Sequence, residues 1–153
     1  MDKLAGRFAP VCRLGKFQHG GVCYNIRMKP EAQVWFDQAK EQYDDMVYLY
    51  EGRRYSMAVY CAHQSLEKLL KAAIVEFGNI SAPKIHKLDE LALQSTLPIS
   101  DTWREDLAEI TRHYWRVRYP DFQTYTYTSK ETILPTIEKT KEIFLWISKQ
   151  FNQ

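Results

Sequence analysis

The stretch Ala58-Val59-Tyr60-Cys61-Ala62-His63-Gln64-Ser65-Leu66-Glu67-Lys68-Leu69-Leu70-Lys71-Ala72 decides the fold class. Ala58, Val59, Ala62, Leu66, Leu69 and Leu70 recur at the three- and four-residue spacing of one helix face. Outward from it, Tyr55, Ala73 and Phe77 continue the stripe, and Gly78 marks its end. No segment of the chain alternates with period two for long enough to argue a strand.

The same pattern repeats on both sides. Pro30 suits a helix start, and Ala32, Trp35, Phe36, Ala39, Tyr43, Met46, Val47 and Tyr50 form a stripe that stops at Gly52. Downstream, a loop with Pro83 precedes a short helix over Lys87 to Gln94, with Leu88, Leu91 and Ala92 inward. After Pro98, Ser100 or Asp101 is placed to cap a helix with the stripe Trp103, Leu107, Ile110, Tyr114 and Val117. A final stripe holds Ile133, Ile137, Thr140, Phe144, Ile147 and Phe151, and Pro135 is tolerable only in its first turn. The expectation is an all-α, four- to five-helix up-and-down antiparallel bundle over residues 30–153. Tyr48, Tyr60 and Trp115 fall off the core stripes, which suggests a self-complementary dimer face.

Residues 1–29 read differently. They hold Gly6, Gly15, Gly20 and Gly21 and no persistent period, so they are expected to be an aperiodic leader, an annotation extension ahead of Met28 or a flexible tail. Six cationic side chains there face only Asp2, so the net charge of +2 hides a basic leader and a mildly acidic remainder. Nucleic-acid contact by the main domain therefore needs a local patch.

The chain has 153 residues, enough for one domain with a core, and its 45% hydrophobic and 26% charged residues are ordinary for a globular protein. No apolar run approaches the roughly 20 residues of a membrane helix. Three cysteines make no disulfide framework, and Cys12, His19 and Cys23 lack a zinc spacing. Cys61 reads as a small buried hydrophobe. A reducing, cytoplasmic setting with no metal, no cofactor and no membrane partner is expected. Glu67-Lys68 and Asp44-Asp45 read as solvated helix faces.

Chemistry concentrates in Arg112-His113-Tyr114-Trp115-Arg116-Val117-Arg118-Tyr119-Pro120-Asp121. Guanidinium forks grip phosphate and aromatic faces stack on bases or on Arg itself. Pro120 disfavours helix at Tyr119, so the cluster sits on the last turns of a helix and the start of a loop. Arg112, Arg116, Arg118, Tyr119 and Asp121 are the candidate nucleotide- or RNA-phosphate-binding residues. Arg112 and Arg116 share a helix face, whereas Arg118 joins them only if the Tyr-Pro turn swings it round. Glu109 is placed to neutralise Arg112 as a surface pair.

The Ala58–Ala72 segment, His86-Lys87-Leu88-Asp89-Glu90-Leu91 and Tyr114 through Arg118-Tyr119-Pro120-Asp121 together resemble the HEPN family, the "higher eukaryotes and prokaryotes nucleotide-binding" domain, over roughly residues 30–150. The resemblance implies a dimeric helical bundle that pairs with a minimal nucleotidyltransferase, often in toxin–antitoxin modules. It also implies modification by that partner of a hydroxyl near the active turn, which makes Tyr125 and Tyr127 candidates. Many members are metal-independent RNases marked by an Arg with a His four to six residues later. This sequence departs from that mark, because no His follows Arg112, Arg116 or Arg118 at that distance. Enzyme activity is therefore uncertain. The expected function is phosphate binding as a nucleotidyltransferase partner. The alternatives are an RNase with a rearranged Arg112, His113 and Arg116 site, or a helical interaction module. His63 and His86 enter the chemistry only if the fold brings them near.

Overall fold

The computed structural model describes residues 28–119 and 127–152. Five helices run in chain order: α1 (Pro30–Glu51), α2 (Tyr55–Gly78), α3 (Leu88–Gln94), α4 (Asp101–Arg118) and α5 (Lys130–Gln150). Every apolar stripe read from the sequence became a helix of the bundle. The start of α1 carries Pro30, and Ser100 and Ser129 cap α4 and α5 by accepting from Trp103 N and Thr132 N at 3.3 Å each.

Helix α2 is central and packs against all four others. Its middle is therefore surrounded: Ser65, Leu66, Glu67 and every residue from Leu69 to Val75 are buried. One core cluster joins Leu66, Leu69, Leu70 and Ile74 to Leu88, Leu91, Leu107, Ile110, Ile143 and Ile147. A second joins Ala58, Val59 and Ala62 to Met46, Tyr50, Ile133 and Ile137. Each fully buried Leu or Ile contributes about 1.5–3 kcal/mol relative to exposure.

Three local features differ from expectation. The glycines end their helices without using left-handed backbone: Gly52 has φ −74°, and the positive angles fall on Arg53 (59°) and Asn79 (54°). Pro135 lies in the second turn of α5, because the Ser129 cap starts that helix early. Its exposed position leaves water to satisfy the Glu131 carbonyl, whose helical donor Pro135 cannot supply. Tyr60 and Trp115, expected at the surface, are half-buried against Tyr114; Tyr48 is exposed.

The end of α2 has no basic residue of its own. Lys29 supplies the cation from across the bundle: its Nζ donates to the carbonyls of Val75 (3.0 Å) and Glu76 (2.6 Å) and to Asn79 Oδ1, while its backbone N–H donates to Glu76 Oε2 at 2.8 Å. A cation satisfying the last carbonyls opposes the negative end of the helix dipole. Lys29→Ala is expected to cost about 1–2 kcal/mol of stability, read by urea denaturation. No change would mean that the half-buried ammonium gains nothing from these contacts.

Candidate functional site

Helix α4 stays helical through Arg118, and Tyr119 caps it with its N–H donating to Trp115 O at 3.1 Å. This sets where the arginines go. The turn does not swing Arg118 toward Arg116, since both remain on helical backbone two residues apart. Arg112 and Arg116 lie on the His113 side, where both cations depress its basicity. Arg118 instead crosses to the Tyr114 side. Pro120, Asp121 and Tyr125 lie outside the described residues.

Arg118 is held in place. Its Nη1 donates to the Tyr114 hydroxyl at 2.8 Å, and its guanidinium carbon sits 5.0, 5.6 and 5.5 Å from the ring centres of Tyr114, Trp115 and Tyr119. Trp115 and Tyr119 stack with centroids 5.7 Å apart, and Tyr119 is 42% exposed. Among the described residues no carboxylate pairs with Arg118.

His113 is not placed for solvent chemistry. It is buried, with Nδ1 2.9 Å from the Tyr127 hydroxyl and Nε2 3.7 Å from Glu109. Burial foremost, then Arg116, lowers its pKa despite Glu109. Glu109 pairs with His113 and with Lys139 (3.4 Å), not with Arg112 as its spacing suggested. Tyr127, a candidate for modification, is half-buried and keeps its hydroxyl on His113.

Beneath Tyr114 lies a polar cluster that the sequence reading missed. The His63 ring, fully buried, stacks on Tyr114 at 3.8 Å and 10°. Its Nε2 donates to the His86 carbonyl at 2.9 Å. Its Nδ1 lies 3.6 Å from Glu67 and has no hydrogen-bond partner. Burial is the main cause that pushes the His63 pKa down to about 4, outweighing Glu67. Glu67 is not a solvated residue, as its Glu-Lys sequence suggested. Its carboxylate is 6% exposed and accepts from Lys71 Nζ (2.8 Å) and His86 Nδ1 (3.0 Å). Lys71, also buried, sits 5.3 Å from the centre of the Trp35 ring. The signal was present: Glu67 and Lys71 each directly follow a core leucine, Leu66 and Leu70, on a helix whose leucines and alanines occupy nearly every side.

An aromatic-clamped arginine at the end of one helix, braced by a buried acid–base cluster on the central helix, defines an all-α bundle with a cationic, ring-lined seam. The chain belongs to the HEPN domain family, whose model matches residues 32–150. Two solved structures share the fold. TT1696 from Thermus thermophilus is 17% identical, with a TM-score of 0.67, covering 79% of this chain and 98% of its own. ST0689, an archaeal HEPN homologue, is 21% identical, with a TM-score of 0.61, covering 78% and 97%. No curated protein matches the chain. No described helix is long and apolar enough to cross a membrane, and the described residues hold no cluster of His, Cys, Asp or Glu suited to a metal ion.

Proposed function

We propose that the end of α4 binds the phosphate of a nucleotide or of RNA, and that the protein acts as a homodimer beside a minimal nucleotidyltransferase in a toxin–antitoxin-like module. Family membership supports a nucleotide- or RNA-related role. The observation that carries the phosphate reading is the Arg118 guanidinium, oriented by the Tyr114 hydroxyl and three rings yet unpaired with any described carboxylate. Pre-orientation lowers the entropy lost when an anion docks. Arg118, in the last turn of α4, also interacts favourably with the negative end of the helix dipole. Arg112, exposed one turn before Arg116, extends the positive surface on the other side of α4. A two-fold axis would double this surface into a groove.

Arg118→Ala is expected to weaken binding of labelled oligouridylate about tenfold, the loss of one charge-assisted contact. Lys139→Ala should leave binding unchanged, since Lys139 is engaged with Asp106 and Glu109. Equal affinities of Arg118→Ala and the parent would sink the phosphate reading. Sedimentation at tens of micromolar reads the dimer, and a monomer there contradicts that part.

A further inference from the structure

His86 is 55% exposed at its side chain, yet it is fixed at two points. Its carbonyl accepts from the buried His63, and its Nδ1 donates to the buried Glu67. An anchor for the chain before α3 needs only the first contact. The second orients the ring. With the Nδ1 proton committed to a carboxylate, the neutral imidazole keeps Nε2, on the opposite side of the ring, as a hydrogen-bond acceptor.

Two ties place this loop on the seam that ends at Arg118. Leu88 N donates to Thr111 Oγ1 at 3.2 Å, which fixes the loop against α4. His63, which holds the His86 carbonyl, stacks on Tyr114, and Tyr114 holds Arg118. From Thr111 to Arg118, α4 rises about 10 Å. Between these backbone anchors the span exceeds the reach from a phosphate to its own ribose.

We propose that His86 forms a second subsite that accepts a hydrogen bond from a ribose 2′-hydroxyl, so that the ligand is single-stranded RNA rather than DNA or a lone nucleotide. The proposal rests on the reading that Arg118 holds a phosphate; the ribose contact then falls on a neighbouring nucleotide of the same strand. The 2′-hydroxyl is the group that separates RNA from DNA, and it supplies the donor that an oriented acceptor needs.

The test compares labelled oligouridylate with oligodeoxyuridylate of the same length at neutral pH. The parent protein should favour the RNA strand up to about tenfold, the upper scale of one net hydrogen bond. His86→Ala should erase that preference while keeping its affinity for oligodeoxyuridylate, and His86→Gln, which retains an acceptor, should keep part of it. Uridine monophosphate should bind His86→Ala and the parent alike. Arg118→Ala should weaken both strands and preserve their ratio. Equal parent affinity for the two strands, or a preference that survives in His86→Ala, overturns the proposal. Failure of the parent to bind either strand removes the phosphate reading and this proposal with it.

Discussion

Glu67→Ala is expected to cost about 3–5 kcal/mol of folding stability, a large share of what a domain this size has. The substitution deletes the carboxylate on which Lys71 and His86 converge. It leaves the Lys71 ammonium buried beside the Trp35 ring with its carboxylate partner gone. Burying a lone charge costs far more than losing a surface pair. Pairing Glu67→Leu with Lys71→Met should recover most of the loss, because both charges then vanish and apolar volume replaces them. Urea denaturation of the two single variants and the double variant reads the effect. A loss under about 1 kcal/mol for Glu67→Ala would place the carboxylate in solvent after all.

Stability should also fall steeply on mild acidification, through His63. Its value is lowered from 6.5 to about 4 in the folded protein. Between those values the unfolded chain binds more protons than the native state, so stability rises with pH across the window. The contribution is complete above pH 6.5 and is lost as pH falls toward 4, a change of about 3 kcal/mol at the full shift. His113, also lowered, acts in the same direction. His63→Phe keeps a ring against Tyr114 and removes the titrating group. Denaturation at several pH values from neutral to about 4.5, which spans the window, should therefore give a flatter profile for His63→Phe than for the parent. Superimposable profiles would mean that burial of His63 does not control its charge.

The helices were legible because each one carries an apolar stripe, and a stripe is a property of spacing alone. The stop near Gly52 was legible for the same reason, although the left-handed residue there is Arg53. What the sequence hid was depth. Glu67 and Lys71 form an (i, i+4) pair that on most helices faces water. Only the packing of four helices around α2 buries them. Glu109 was similarly misread, because spacing favoured Arg112 while tertiary packing offered His113 and Lys139. His113 looked like a proton carrier beside three arginines, and the fold turned it inward onto Tyr127. The link from Arg118 through Tyr114 and His63 to His86 joins residues from α2, α4 and the chain before α3, and no local pattern encodes it.

The salt dependence of RNA binding tests the phosphate reading most directly. Each phosphate neutralised on a single strand releases about 0.7 counterion, so the log–log slope of affinity against salt counts phosphate contacts. For oligouridylate, Arg118→Ala should bind more weakly than the parent and flatten that slope by about 0.7 units. An unchanged affinity and slope in the folded Arg118→Ala variant would contradict the account.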